Sequence, residues 1–356
     1  MYEELIDRDP TLATEERNDM NLVYRAALWA KGFYQQSFIS SYLDLITQHG
    51  ADMLAVDGIG YTPLHLAALR GSPYVADYLC RKLPADQIDR RTRHGKTPLA
   101  TAAYWLDLDT QHLQDPDTPE AIKEEYRARI DNLKLIIHSL LRAGGDISTI
   151  PTATEERRRQ LRLVLTEYAT VLNELPIAVM SAVNAALAPH RSLAALLTPR
   201  LAVGPQEAPI FGWRMASYLF DMDAAQEAIS ETIGVRHSDM ARRVCAAAEH
   251  FVKSAAYQAS SNREVVGGTA DVGGQMVRVP QLQCFVVGGV GGVGGRKMEL
   301  REVVQRAILD EAAKWGLAGQ IDNGFSKDVS GVQWGAVGWV ERGRDGRETF
   351  RSLRLT

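Results

Sequence analysis

One short segment of this chain occurs twice, at a spacing that strongly restricts the fold. The sequence TPLHLAA at residues 62–68 recurs in loosened form, TPLATAA, at residues 97–103, 35 positions downstream. Threonine followed by proline suits the start of a helix, because the hydroxyl accepts an amide hydrogen bond and proline at the first helical position loses no needed donor. The leucine and alanines form an apolar stripe on which a second helix packs closely. A period of about 33 residues indicates stacked helical hairpins.

The residues around the first copy outline one complete unit. Residues 57–65 (DGIGYTPLH) resemble the opening of an ankyrin repeat almost position for position. Gly60 supplies the permissive backbone of a tight turn, and Gly71 ends the first helix. The second helix carries its own apolar stripe, formed by Val75, Ala76, Tyr78 and Leu79. The resemblance covers residues 20–150 and implies a solenoid of about three repeats.

The other repeats follow this outline less closely. The next unit opens at residues 94–99, where Ala100 takes the position of His65, so we expect one helix-to-turn hydrogen bond to be missing. Residues 107–127 then interrupt the apolar pattern, and we interpret them as an insertion between the two helices of the third repeat. A degenerate first unit before residue 50 is expected to be the polar-faced cap that such arrays need.

The resemblance implies where a partner would bind. Ankyrin repeats contact their partners through the turns between repeats and through the inner helices. The matching positions are Asp57, Ile59, Tyr61 and Arg70 in one unit, and Arg93, His94, Lys96 and Tyr104 in the next. An exposed tyrosine would be the natural centre of such an interface, since aromatic anchors dominate interface energies. Alternatively, Tyr104 and Trp105 pack under the inserted segment.

The rest of the chain predicts further helices and then strands. Residues 151–200 are interpreted as a helical connector that Pro176 ends or kinks, and the proline-rich residues 199–209 as a domain boundary. Residues 201–356 are predicted to form an α+β domain of unknown role with an antiparallel sheet, since β-rich runs bounded by glycines follow two helices. The predicted fold class is therefore mainly α, with an ankyrin solenoid, connecting helices and this C-terminal domain.

A glycine-rich run at residues 288–295 offers one candidate for ligand binding. Its Gly289, Gly291 and Gly294 satisfy G-x-G-x-x-G, and Arg296 and Lys297 follow directly. Such a loop brings backbone amides close to a phosphate. However, no strand ending in an acidic residue follows about 20 positions later, and the lysine and serine or threonine of a triphosphate loop are missing. An anion-binding loop and a flexible hairpin tip both remain open.

The cysteines offer a weaker catalytic candidate. Cys80, Cys245 and Cys284 form no C-x-x-C pair, which argues against a disulfide framework or a structural zinc and favours a reducing compartment. A Cys245 nucleophile would need an upstream base such as His237 or His190, in an unfamiliar chain order. Inert buried cysteines are the simpler interpretation. No metal site and no cofactor are predicted.

The composition of the chain restricts its expected cellular location and the classes of partner that it binds. The 356 residues carry a net charge of −4, so no overall basic field points to nucleic acid or an anionic membrane. The N-terminus is acidic where a secretory signal is basic, and polar residues interrupt the most apolar stretch, residues 177–197, so we expect no membrane span. The predicted location is cytoplasmic, with export lacking a cleavable signal as an open alternative.

Two functions follow from these observations. The first is a protein-interaction protein that binds a partner protein through its ankyrin repeats. The second is an enzyme, similar to effectors that bacteria inject into host cells, in which the repeats deliver a C-terminal transferase or hydrolase domain that uses the glycine-rich loop for a phosphate-bearing cofactor. The first is preferred because no catalytic constellation is complete.

Overall fold

A computed structural model describes residues 2–16, 20–29, 34–197, 215–258 and 300–324, together with the backbone of six short segments between 269 and 352. Two compact units divide the chain. The first contains Met1–Val171 and Val235–His237, and the second contains Leu172–Gly234 and Ser238–Thr356. The domain boundaries predicted from composition, at residues 150 and 200, stay predictions.

The first unit is built from helical hairpins stacked in two layers. Its helices are α1 Tyr2–Arg8, α2 Leu22–Trp29, α3 Gln36–Gln48, α4 Pro63–Arg70, α5 Pro73–Lys82, α6 Ala85–Ile88, α7 Pro98–Gln114 and α8 Glu120–Arg142, with 3-10 turns at Pro10–Thr14 and Ile147–Thr149. One layer is formed by α2, α4 and α7, and the other by α3, α5 and α8. Because α4 packs on α7, the two TPL segments lie side by side, as their spacing predicts.

The predicted caps and breaks are present in these helices. The Thr62 hydroxyl accepts a hydrogen bond from the His65 amide at 3.3 Å, and the Thr97 hydroxyl accepts one from the Ala100 amide at 3.2 Å. Each threonine thereby satisfies an amide that has no partner inside the helix. Gly71 ends α4 with a φ of 72°, a left-handed conformation that glycine adopts without steric cost.

The interruption of the third repeat is helical. Residues 107–127 lengthen both helices of the hairpin, so α7 has 17 residues and α8 has 23, against 8 in α4 and 10 in α5. The buried acids that broke the apolar pattern are paired. Arg159 Nη2 lies 2.9 Å from Asp107 Oδ2, and Arg129 Nε lies 3.2 Å from Asp109 Oδ2. Asp107 and Asp109 therefore form buried ionic contacts, although charged residues at these positions are typical of a loop.

The expected polar face of the N-terminal cap is wrong. Large aromatic side chains on and next to α2 and α3 are exposed, namely Trp29, Tyr34 and Phe38. The rings of Tyr34 and Phe38 lie 5.4 Å apart. The helices of this first hairpin therefore present apolar surface to solvent.

Residues 235–237 belong to the first unit although they are distant in sequence. The Arg236 amide donates to the Arg142 carbonyl at 2.7 Å, at the end of α8. The Arg236 guanidinium donates to the Cys80 carbonyl at 3.0 Å and also to the Arg81 carbonyl, in the last turn of α5. A cation at this position satisfies carbonyls that the helix leaves open and complements the helix dipole.

A single long helix, α9 Glu155–Leu197, follows the repeats and contains both Pro176 and Pro189. The helix therefore does not end at Pro176, and the alternative expectation of a kink there stays a prediction. Proline removes one hydrogen bond of the helix ladder, but buried side chains on both sides of Pro176, such as Leu172, Leu175 and Val179, anchor the flanking turns. The packing of these side chains thus outweighs the free-energy cost of the hydrogen bond lost at Pro176.

Among the described residues, α9 is the one helix long and apolar enough to cross a membrane. This corrects the expectation that no stretch of the chain meets that requirement. Less than half of its most apolar 18-residue window, 44%, is buried. Core helices of soluble proteins meet the same criterion, so length and composition fit a core helix and a span alike.

Helices also form the described core of the second unit. They are α10 Met222–Ile233, α11 Asp239–Gln258 and α12 Leu300–Lys314, with a 3-10 turn at Ala318–Gln320. Helix α11 packs against both α10 and α12. Asn173 ties α9 to this core, because its side chain donates to the Gln320 carbonyl at 3.0 Å and accepts from the Asp322 amide at 2.8 Å.

The predicted C-terminal α+β domain is wrong. Where the structure describes side chains, the chain is 75% helical without a strand, so the fold class is mainly α. Short backbone segments are extended, namely β1 Thr269–Val272, β2 Gln275–Arg278, β3 Phe285–Val287, β4 Arg296–Met298, β5 Val337–Arg342 and β6 Glu348–Ser352. They pair antiparallel in the orders β1-β2 and β4-β3-β5-β6. Their β-rich composition reflects a local preference, whereas a domain class depends on the packed core, and the described core is helical.

Candidate partner-binding surface

The first fingertip is the turn that precedes α4. Asp57 Oδ1 accepts hydrogen bonds from the amides of Ile59 at 2.9 Å and Tyr61 at 2.8 Å. The Gly60 amide donates to the Asp57 carbonyl at 3.0 Å, and the Asp57 amide to the Tyr61 carbonyl at 3.1 Å. Gly60 has a φ of 90°. The side chain and the backbone of Asp57 therefore stabilise the turn through internal hydrogen bonds.

Tyr24 holds this turn against the preceding repeat. Its hydroxyl donates to Asp57 Oδ2 at 2.8 Å. Burial and the neighbouring carboxylate raise the pKa of Tyr24. Burial also acts to raise the pKa of Asp57, but hydrogen bonds from Tyr61, Tyr24 and Ile59 outweigh it, so that pKa is lowered. Asp57 is thus an ionised carboxylate whose two oxygens are both engaged inside the repeat.

The Tyr24→Phe variant is expected to lose about 1 kcal/mol of unfolding free energy, because it leaves Asp57 Oδ2 without its hydroxyl donor. Urea denaturation of the full chain measures this loss. Tyr74→Phe is a suitable control, since Tyr74 is half-buried on α5 and donates to no described carboxylate. An equal loss of unfolding free energy in both variants would show that the hydrogen bond from Tyr24 to Asp57 does not stabilise the fold.

His65 links the first fingertip to the second. Its Nδ1 accepts from the Thr62 amide at 3.2 Å, so Nε2 carries the hydrogen and donates to the Lys96 carbonyl at 3.0 Å. Burial lowers the pKa of His65 to about 4, which keeps the ring neutral. The Arg93 amide donates to the Ile59 carbonyl at 3.0 Å. Two hydrogen bonds therefore hold the adjacent turns in register.

The second fingertip is the turn at residues 92–96 that precedes α7, and it has threonine where the first fingertip has aspartate. The Thr92 amide donates to the Lys96 carbonyl at 2.9 Å, and the Lys96 amide donates to the Thr92 hydroxyl at 3.2 Å. Ala100 cannot repeat the histidine bond. The Thr97 hydroxyl instead lies 3.1 Å from the Thr149 hydroxyl, and this contact joins the third repeat to the residues after it.

Most of the partner-binding residues predicted from the sequence are exposed. Ile59 is 48% exposed at the first fingertip. Arg93, His94 and Lys96 are exposed at the second, and Arg70 is exposed at the end of α4. The backbone bonds between the turns bring Ile59 and Arg93 together, whereas Arg70 lies at the opposite end of its helix.

The two predicted tyrosines are only partly exposed. Tyr61 is half-buried, with its ring 5.5 Å from that of His65. Tyr104 is also half-buried, between the Trp105 ring at 5.4 Å and Lys96 Nζ, 4.9 Å from the Tyr104 ring centre. Trp105 in turn stacks with the Arg129 guanidinium of α8 at 4.6 Å. The two tyrosines therefore pack partly beneath the exposed side chains of the surface. Their roles in binding stay predictions.

The sequence analysis missed part of this surface. Leu54 and Val56 are exposed large apolar residues in the segment leading to the first fingertip. The available signal was the short apolar run at residues 53–56, flanked by Asp52 and Asp57. We define the fingertip surface as the exposed side chains Leu54, Val56, Ile59, Arg91, Arg93, His94 and Lys96.

The catalytic candidates lie on separate elements of the chain, and their catalytic role stays a prediction. Cys245 lies on α11 in the second unit, where burial and then Glu249 raise its pKa to about 12, so the thiolate is disfavoured. His237 belongs to the first unit, and burial lowers its pKa. His190 Nε2 lies 3.4 Å from the Ser217 hydroxyl, which donates to the Ala256 carbonyl at 2.6 Å.

The glycine-rich candidate lies largely outside the described residues. Gly289, Gly291 and Gly294 are not among them, and Arg296 and Lys297 are described only as backbone of β4. In the part of the chain with described side chains, no group of three or more histidine, cysteine, aspartate or glutamate residues could hold a metal ion.

The stacked hairpins and their protruding turns define a helical-repeat protein of the interaction type. Residues 59–93, which span the end of the first turn, α4, α5 and the start of the second turn, match the family model of the ankyrin repeat. The chain thus carries an ankyrin repeat, a module that mediates protein–protein binding in general. No curated protein sequence matched the chain.

Proposed function

We propose that the protein binds a partner protein through its fingertip surface. One observation carries this proposal: two turns held rigid by internal hydrogen bonds present uncovered apolar and cationic side chains. The bonds from His65 to Lys96 and from Arg93 to Ile59 fix the turns before any partner arrives. A preorganised surface loses little entropy on binding, so more of the contact energy becomes affinity.

The composition of the surface also supports a protein partner. Interfaces combine an apolar centre with a polar rim and are enriched in arginine. Leu54, Val56 and Ile59 provide apolar area, and Arg91 and Arg93 border it from the next turn. The half-buried Tyr61 and Tyr104 support the turns, and we propose that they contribute to binding mainly through this support.

A panel of displayed random peptides tests this proposal without knowledge of the natural partner. Peptides selected on the full-length chain are expected to lose at least about tenfold in affinity for the Ile59→Ala/Arg93→Ala variant, the equivalent of roughly 1.4 kcal/mol. The control is Ile122→Ala/Lys123→Ala, because Ile122 is 44% exposed, close to the 48% of Ile59. This pair lies at the start of α8, which follows the far end of the 17-residue helix α7, roughly 25 Å along the axis of α7 from the fingertips.

The control is expected to bind the selected peptides like the wild type. The proposal fails if no peptide is enriched, or if the enriched peptides bind both variants as tightly as the wild type. Far-UV circular dichroism of each variant checks that the helices are retained.

A further inference from the structure

We infer that the partner segment recognised by the fingertip surface is acidic and contains an apolar residue next to its carboxylates. This inference rests on the proposed function and adds the chemistry of the partner. Its basis is a set of exposed fingertip cations that make no ion pair with a described carboxylate and that lie beside exposed apolar side chains.

The fingertip cations are not neutralised within the described part of the chain. Arg91, Arg93 and Lys96 are exposed and make no ion pair with any described carboxylate. Other cations of the first unit are paired at short distance, such as Arg81 with Asp77 at 3.0 Å, Lys82 with Asp44 at 3.6 Å and Arg127 with Glu120 at 2.7 Å. The second fingertip thus presents Arg93 and Lys96 without an ion pair, while Arg91 interacts with Asp89 only at longer range.

The carboxylates nearest to these cations are committed to the fold. Asp57 accepts from the amides of Ile59 and Tyr61 and from the Tyr24 hydroxyl. Both Asp89 oxygens accept from the Asp146 amide at 3.0 Å. Reorienting either side chain toward the arginines would break these bonds. These two carboxylates are therefore not free to pair with the fingertip cations, whereas the carboxylates of a bound partner are.

The apolar and cationic parts of the surface are immediate neighbours. The Arg93 amide is bonded to the Ile59 carbonyl at 3.0 Å, so the two fingertips meet at their backbones. A ligand that covers Ile59 and pairs with Arg93 is therefore one continuous segment, in which an apolar side chain adjoins a carboxylate. Arginine pairs with carboxylates through two parallel hydrogen bonds, which adds geometric selectivity.

The same surface is less suited to nucleic acid. Single strands bind to exposed aromatic rings on which bases stack. Here Tyr61 and Tyr104 are half-buried and engaged with His65, Trp105 and Lys96. Apart from His94, the exposed uncharged side chains of the fingertip surface are aliphatic. An acidic protein segment satisfies both features, whereas a phosphate backbone satisfies only the charge.

Synthetic probes test this inference on the full-length chain. The main probe is a fluorescein-labelled peptide, Glu-Glu-Leu-Glu-Glu-Leu-Glu-Glu, with matched peptides in which all glutamates become glutamine or both leucines become serine. A single-stranded RNA of 12 nucleotides is the fourth probe. Fluorescence anisotropy at low and high salt measures each dissociation constant.

The acidic leucine peptide is expected to bind at least about tenfold more tightly than either matched peptide and than the RNA. Raising the salt from about 50 mM to 500 mM should weaken it by a similar factor, because exposed charges are screened. Lys96→Glu is expected to weaken it at least about fivefold. Lys123→Glu, the same charge change on α8, should alter it less than twofold, since its distance exceeds the screening length.

Several results would overturn the inference. Equal binding of the glutamine peptide, tighter binding of the RNA, or equal effects of Lys96→Glu and Lys123→Glu would each do so. If the displayed peptides depend on Ile59 and Arg93 but are not acidic, this inference fails while the proposed function stands. If no displayed peptide depends on them, the proposed function itself fails.

Discussion

Acidification from pH 7 to pH 4 is expected to cost the first unit about 3 kcal/mol of unfolding free energy through His65 alone. The His65→Gln variant is expected to lack this loss. His65 is fully buried between the two fingertips, and its neutral ring accepts from Thr62 and donates to Lys96. Burial lowers its pKa from 6.5 to about 4.

The direction follows from which state binds the proton. Between pH 6.5 and pH 4 the imidazole is protonated in the unfolded chain but not in the folded one. The unfolded state therefore gains stability as the pH falls, and the unfolding free energy decreases. The contribution of His65 is fully present above pH 6.5 and is lost as the pH approaches 4. A pKa difference of about 2.5 units corresponds to roughly 3 kcal/mol.

Urea denaturation of the wild type, His65→Gln and His94→Gln at several pH values measures this effect. His94 is an exposed histidine at the second fingertip, so its variant should keep the pH dependence of the wild type. Carboxylates with lowered pKa values, such as Asp57 and Glu167, contribute to all three proteins. An unchanged pH dependence in His65→Gln, or a His65 ring signal that titrates near pH 6.5 by NMR, would refute the prediction.

A second large effect is expected at Gly144, where α8 ends. Gly144→Ala should lower the unfolding free energy by about 3 kcal/mol, through left-handed backbone strain together with lost contacts. Gly144 has a φ of 86°, and an added Cβ would lie 2.7 Å from the Arg236 carbonyl oxygen. That contact would displace residues 235–237, whose Arg236 bonds the last turns of α5 and α8.

Gly95→Ala is the matched control for this effect. Gly95 also has a left-handed φ, 74°, but no atom lies within 4 Å of its added Cβ. It should therefore cost only the backbone strain, about 1 kcal/mol. Arg236→Ala should reproduce only the loss of the guanidinium bonds to the Cys80 and Arg81 carbonyls, without strain. Hydrogen-exchange mass spectrometry of peptides from α5 and α8, combined with urea denaturation, compares the three. Equal losses at Gly144 and Gly95 would show that the approach of Arg236 does not matter.

Local signals explain why the repeat was predictable from the sequence. Thr62 and Thr97 cap their helices, and Gly60 and Gly71 have the backbone conformations that their turns require. These features depend on residues that are close in sequence. The exposed positions at the fingertips, such as Ile59 and Arg93, followed from the same short turns.

Errors arose where distant partners decide the outcome. Asp107 and Asp109 interrupt the apolar pattern of the sequence, yet each pairs with a distant arginine, Arg159 or Arg129, inside the long helix α7. Pro176 predicts a helix end or a kink, yet α9 continues through it with buried side chains on both sides. The glycine- and valine-rich C-terminal runs predict a sheet domain, whereas the described core of that unit is helical.

The sequence by itself determined the period of the hairpins, their caps and the turns that protrude between them, because short-range hydrogen bonds and backbone preferences specify these features. Only the tertiary structure decided which charges are free. Asp57 is hydrogen-bonded to backbone amides and Asp107 is paired with an arginine, whereas Arg93 and Lys96 are exposed to solvent. The reason is physical: a charge that is to be buried must find its partner nearby in space, and separation along the chain does not reveal that partner.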